Sequence, residues 1–252
     1  MSQNSATRSL SLSQLAAVEL ELRKRGLRDR LLREKGERDY KENKWLSYFP
    51  DTGDLRRELY QKHLEFFRAG AIHRERLFMA ANRVGKTESA GGYETMLHMT
   101  GIYPEWWEGK RFNKHISCWM AGTTNITTRD ILQAKVCGPI NDLGTGLIPK
   151  DRFIRRTLKS GVQDAIETIY VKHVSGGTSV GNFKTYEQGR VAFEGTEQDV
   201  IWLDEEPPMN VYTECLTRTM TTNGLVMVTF TPLRGISDVV LSFLPSGRLE
   251  HE

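Results

Sequence analysis

Apolar positions along this chain keep two rhythms, and the switches between them predict where elements begin and end. Leu77-Phe-Met-Ala-Ala81 is a short apolar run, broken by Asn82-Arg-Val-Gly-Lys-Thr87 and followed by a helical pattern through Glu94-Thr-Met-Leu97. His115 to Ala121 predicts a second strand, after which Thr123 or Asn125 is placed to cap a helix over Thr127 to Cys137. Residues 166–174 alternate and are β-branched, a strand that Ser175-Gly-Gly-Thr178 turns back toward Phe183 to Tyr186. Val200-Ile-Trp-Leu203 and Gly224 to Thr231 are apolar at successive positions, as strands buried on both faces of a parallel sheet are. The pattern is that of an α/β fold with a mostly parallel central sheet flanked by helices.

Upstream the rhythm is weaker. Residues 1–14 are rich in Ser, Gln and Asn and read as disordered. Ser13 to Asn43 is a charged helix former in which Leu15, Val18 and Leu22 share one face and Leu27 and Leu31 another. Gly26 and Gly36 are expected to break it. Such a segment is a solvated helical arm or a docking arm for a partner protein. Asp51 to Asp54 is a turn, and Leu55 to Arg68 predicts a helix with Leu59, His63, Phe66 and Phe67 inward. The expected organisation is an arm over 1–44, a domain over 45–240, and a linker beginning over 241–252.

Charge and composition narrow the function classes. The 252 residues are 27% charged, and no apolar run approaches the ~18 residues of a membrane span. Cys118, Cys137 and Cys215 form no C-x-x-C pair and read as buried thiols of a reducing cytoplasm; the six histidines show no metal-ligand spacing. Net charge is +3, and residues 19–44 hold ten Lys/Arg against seven Asp/Glu, so the domain that follows is close to neutral. A DNA-facing basic surface would have to be local. Lys150, Arg152, Arg155, Arg156 and Lys159 form one candidate, open equally to a neighbouring subunit or to solvent.

The chemistry concentrates at three strand ends. Gly85-Lys86-Thr87 between strand and helix has the context of a phosphate-binding P-loop, with Ala80 where the first glycine of the pattern would stand. Backbone N–H groups over Ala81, Asn82, Arg83, Val84, Gly85, Lys86, Thr87 and Glu88 would cradle phosphates, Lys86 would reach the terminal ones, and the Thr87 hydroxyl would hold Mg2+. Val200–Leu203 ends in Asp204-Glu205-Glu206 and then Pro207-Pro208. Carboxylates at the end of a buried strand are costly without a cation, which assigns Asp204 to the Mg2+ shared with Thr87 and Glu205 to the attacking water. The two halves are expected on neighbouring strands. Thr229 and Thr231 close a third strand, where hydroxyls could sense a γ-phosphate and couple hydrolysis to the following segment. Gln61 can read the Hoogsteen edge of adenine with its paired donor and acceptor. Trp106 and Trp107 are expected to cap the core, with base stacking as the alternative.

Taken in order over residues 55–240, these motifs resemble the ATPase domain of bacteriophage large terminase subunits. The residues that carry the resemblance are the Gln61 helix, Ala80-Ala-Asn-Arg-Val-Gly-Lys-Thr87 and Tyr103-Pro-Glu-Trp-Trp-Glu-Gly109. They continue with Phe183-Lys-Thr-Tyr-Glu-Gln-Gly-Arg190, Val200-Ile-Trp-Leu-Asp-Glu-Glu-Pro207 and Thr229-Phe-Thr-Pro-Leu-Arg-Gly235. The resemblance implies a RecA-like P-loop ATPase of the additional-strand, catalytic-glutamate class, using ATP and Mg2+ to drive double-stranded DNA into a procapsid. It implies portal protein, small terminase subunit and a homo-oligomeric ring as partners in the host cell cytoplasm; with no obvious apolar interface in the sequence, the isolated chain is expected to be monomeric. It makes Ala80 a family trait and Arg83 a candidate to act on the γ-phosphate in cis, with Arg129, Arg190 and Arg218 as candidates in trans. With Asp238, Glu250 and Glu252 as the only acids beyond Thr231, no nuclease domain is expected, so hydrolysis without DNA cutting. A helicase-like translocase and a nucleotide-switched assembly protein remain as alternatives.

Overall fold

The computed structural model describes residues 12–81, 83–232 and 237–244, with side chains from residue 19 onward. The chain divides into two units, Met1–Lys41 and Glu42–Glu252. Expectations for residues 1–11, Asn82, residues 233–236 and 245–252, and for the side chains of Leu15 and Val18, lie outside the described residues.

The described part of the first unit is helical: helix α1 runs without a break over Leu12–Glu42. Gly26 and Gly36 do not interrupt it. Each costs only about 1 kcal/mol in a helix interior, and exposed pairs such as Glu19–Arg23 and Arg30–Glu34 support the turns around them.

The second unit is built on a seven-stranded sheet in the order β1-β7-β6-β2-β5-β4-β3. The strands are β1 (Glu75–Met79), β2 (Ser117–Gly122), β3 (Phe153–Leu158), β4 (Ile166–Lys172), β5 (Thr178–Thr185), β6 (Val200–Asp204) and β7 (Leu225–Phe230). From β1 to β5 every neighbouring pair is parallel; β4 and β3 extend the sheet antiparallel through a hairpin at Ser175–Gly177. Successive residues of β2 and β6 enter opposite cores. Cys118, Met120, Val200 and Trp202 join the cluster under Phe67, Tyr93, Met96 and Trp107, while Trp119, Ala121, Ile201 and Leu203 join Tyr212, Phe230 and Val239. Both faces are covered, which is why these strands lack polar alternation. The fold is the RecA-like P-loop arrangement of the additional-strand class: β7 is the strand inserted between β1 and the acidic strand β6.

Helices α2 (Gln61–Ala69), α3 (Tyr93–Thr100) and the segment Asn125–Cys137 cover one face, and α6 (Met209–Arg218) and α7 (Asp238–Phe243) the other. Within Asn125–Cys137, α4 (Asn125–Thr127) and α5 (Ala134–Cys137) flank a π-helical stretch, and Thr124 is the cap, its hydroxyl accepting from the Thr127 N–H at 3.1 Å. The expected helix over 55–68 splits at Tyr60 into a 3-10 turn (Arg57–Leu59) and α2. That turn points Leu59 to solvent, at 55% exposure, while His63, Phe66 and Phe67 are buried as expected. Trp107 is buried and Trp106 packs against the same core, forming the expected cap.

Candidate nucleotide and cation site

Because β1, β7 and β6 run parallel, their carboxyl ends lie at one edge, and the register puts Phe78, Thr229 and Asp204 in one row. Ligands of open α/β sheets bind at such an edge. The P-loop and the acidic tip meet there from strands that are not neighbours: β7 lies between them. The loop reaches across it.

The loop leaves β1 through Ala80 and Ala81, and Arg83 (φ +64°) and Gly85 (φ +85°) both take left-handed backbone. Gly85 does so at no steric cost; Arg83 is exposed. Lys86 opens a π-helical segment, Lys86–Gly92, that continues into α3. Its ammonium is buried and donates to the Ala81 carbonyl at 2.7 Å, so it is held folded back under the loop. Val84 is exposed.

Thr87 Oγ1 donates to Asp204 Oδ2 at 3.3 Å, which unites the two sequence motifs. Thr229 Oγ1 donates to the other carboxylate oxygen, Oδ1, at 2.7 Å, and itself accepts from Trp202 Nε1 at 2.8 Å. Its one proton is therefore committed to Asp204. Asp204 is 4% exposed. Burial, the dominant cause, pushes its pKa up to about 7 against the hydrogen bonds from Thr229 and Thr87; the neighbouring Glu205 carboxylate adds to the rise and Lys86 opposes it.

Glu205 also takes left-handed backbone, φ +61°. Its N–H donates to the Thr229 carbonyl at 2.9 Å, and its carbonyl accepts from the Tyr186 hydroxyl at 3.0 Å. Tyr186 makes a second 3.0 Å contact to the Asp204 carbonyl. The strained turn swings the Glu205 side chain out to solvent, onto a cavity of about 600 Å3 shared with Thr123, Glu206, Thr231 and Asp238.

Other predicted residues stand apart. Gln61 is exposed at the start of α2, its amide donating to the Glu58 carbonyl at 3.0 Å. Glu88 turns away from the loop to Lys44, Tyr48 and Lys135, the last at 2.6 Å. Burial alone would raise its pKa, but the Lys135, Lys44 and Tyr48 hydrogen bonds outweigh that and hold it at about 2. Arg129 is paired with Asp130, Arg190 with Glu194 and Glu214, and Arg218 with Glu214. Sequence reasoning assigned no role to Tyr186 or Trp202. Only the resemblance carried them, because their partners come from other strands.

The donor set suits Mg2+: one carboxylate and one hydroxyl, both hard oxygens. Among the described residues no group of three or more His, Cys, Asp or Glu could hold a metal unaided. A buried carboxylate with so raised a pKa is one that a cation would relieve.

Residues 77–247 match the family described as terminase large subunit, T4likevirus-type, N-terminal. The large terminase subunit of Salmonella phage P22 is 38% identical over an alignment of 205 residues that covers 73% of this chain and 41% of that protein. The matched part of this chain thus spans about two fifths of that curated relative. Among solved structures, the large terminase of a thermophilic bacteriophage aligns at TM-score 0.48 and 13% identity over 68% of this chain and 37% of that one. A further crystal form of the same terminase, in complex with ADP, aligns at 0.43 and 14%, with the same coverage. Likenesses that distant carry no argument about this site. The family match covers most of the domain and includes the P-loop, the acidic strand and the threonine strand, so the chain belongs to the terminase large subunit family, T4likevirus-type, N-terminal.

Proposed function

We propose that this chain is the ATP-hydrolysing module of a DNA-packaging motor. The observation that carries the reading is the 3.3 Å approach of Thr87 Oγ1 to Asp204 Oδ2, made by a P-loop and an acidic strand tip that lie two strands apart. The phosphates of ATP rest on the N–H groups that open the Lys86 helix, where the dipole favours negative charge. Lys86 leaves the Ala81 carbonyl to meet them. Thr87 and Asp204 would hold a Mg2+ ion, which when bound neutralises charge on the β- and γ-phosphate oxygens. Glu205, beside the cavity, orients the attacking water and takes its proton. Arg83 supplies positive charge at the γ-phosphate from within the same subunit, and Gln61 reads adenine once released from Glu58. Thr231 passes the change to the segment that follows it, and Thr229 does so through Asp204.

In the working assembly the substrate moved is double-stranded DNA, and the partners are the portal protein, the small terminase subunit and further copies in a ring on the procapsid, in the host cytoplasm. The arm over residues 1–44 is the docking element. No helix among the described residues is long and apolar enough to cross a membrane.

Glu205→Gln tests the reading. Affinity for a non-hydrolysable ATP analogue should stay within about twofold, while turnover falls by roughly 10²–10⁴, the usual contribution of a general base. Unchanged turnover refutes the assignment.

A further inference from the structure

We infer that Trp202 is a positioning residue for the divalent-cation site, acting through Thr229. The inference rests on reading Thr87 and Asp204 as the cation's ligands. An indole N–H donates and cannot accept. Trp202 Nε1 lies 2.8 Å from Thr229 Oγ1, so that oxygen must be the acceptor, and its own proton is directed to Asp204 Oδ1 at 2.7 Å. The hydroxyl can no longer rotate, and the carboxylate is held by one oxygen while Oδ2 faces Thr87. Trp202 and Thr229 are each 0% exposed, so no water can substitute for the donor. Ligand carboxylates are commonly oriented by such outer hydrogen bonds, whose loss costs about 10–100-fold in metal affinity.

The ring also fixes how closely the P-loop helix approaches β6. A Cβ built on Gly91 would lie 2.1 Å from Trp202 Nε1. Gly91 belongs to the same π-helical segment that begins at Lys86. One indole therefore orients the Asp204 carboxylate and seats the helix that carries Thr87, so it sets both halves of the cation site. This explains why an indole, with its one donor, stands in a strand whose other positions before Asp204 are aliphatic.

The test compares nucleotide affinity with and without cation. Dissociation constants for a non-hydrolysable ATP analogue are measured in Mg2+ and in EDTA, and their ratio reports the cation's grip. Trp202→Phe, which keeps a buried ring but removes the N–H, should shrink that ratio about tenfold. Thr229→Val should behave alike, and Thr229→Ser, which keeps the hydroxyl, should restore the wild-type ratio; this pair carries the test where Trp202→Phe does not fold. An unchanged ratio overturns the inference. So does a parallel loss of affinity in both media, because that is what loosened packing would produce. Failure of the wild-type chain to bind the analogue in either medium would instead sink the nucleotide-site reading itself.

Discussion

At the residue scale the site is governed by what burial does to one carboxyl group. Asp204 keeps its proton up to about pH 7 when folded, whereas the unfolded side chain releases it near the ordinary value of 3.8. Between those values the folded state binds the extra proton, so the cation-free protein loses stability as pH rises from about 4 to about 7. Asp204→Asn removes the penalty, since the amide can still accept from Thr229 and donate to Thr87. Its melting temperature, measured by calorimetry in EDTA, should exceed that of wild type at about pH 8 and converge with it at about pH 4. A constant gap across that range would contradict the raised pKa. Glu205 illustrates the complementary point: it accepts strain, φ +61°, to place its carboxylate in the cavity rather than against Asp204. The acidic triplet was legible in the sequence. The left-handed turn that points the Asp204 and Glu205 carboxylates apart was not, because two hydrogen bonds from outside the triplet impose it.

Elements are tied together by a second buried charge system on the same face of the sheet as the P-loop helix. Arg76 on β1 donates to both oxygens of Glu94 on α3, at 2.6 and 3.0 Å, and to the Phe66 carbonyl of α2 at 2.7 Å. His98 bridges Glu94 to Tyr103. Burial acts to raise the Glu94 pKa, but Arg76 and His98 outweigh it and hold the carboxyl below its usual range. Arg76 and Glu94 are 3% and 0% exposed, so removing one charge strands the other in the interior. Glu94→Gln should cost about 3–5 kcal/mol, read from urea unfolding, and a loss under about 1 kcal/mol would mean the pair is not desolvated in solution. Glu88 makes the corresponding tie from the P-loop helix to Lys44 and Lys135. Its pKa of about 2 means that the pair's stabilisation is complete above about pH 4.5 and fades as pH falls toward 2. Glu88→Gln should therefore lower the melting temperature at neutral pH and lose that effect near pH 2. Periodicity found the strands that carry these groups. It could not show that Arg76, at the start of an apolar run, points inward, or that Glu88 turns from the loop it follows.

For the whole molecule the division at Lys41 is the feature with consequences. Every residue of α1 from Glu19 to Lys41 is exposed, including Leu20, Leu22, Leu27, Leu31 and Leu32. Over that stretch the helix buries no apolar face of its own, and i,i+4 pairs such as Glu19–Arg23 each contribute only ~0.3–0.5 kcal/mol. Deleting residues 1–41 should leave the melting transition and nucleotide affinity of Glu42–Glu252 unchanged while impairing binding to a portal or small-subunit partner. A lowered transition by calorimetry would show that the arm contributes to the domain instead.

What the sequence determined alone was local and periodic: which runs are strands buried on two faces, where a P-loop interrupts one, and where acids end another. Those signals survive in one dimension because burial on both faces removes polar residues and a phosphate cradle needs its glycine, lysine and threonine adjacent. Tertiary structure decided the rest. Only the insertion of β7 between β1 and β6 brings Thr229 against Asp204, and only there does the Trp202 N–H reach the hydroxyl that donates to it. Hydrogen bonds between residues that lie 25 to 117 positions apart have no periodic trace in the chain, so their geometry became readable when the strands were laid side by side.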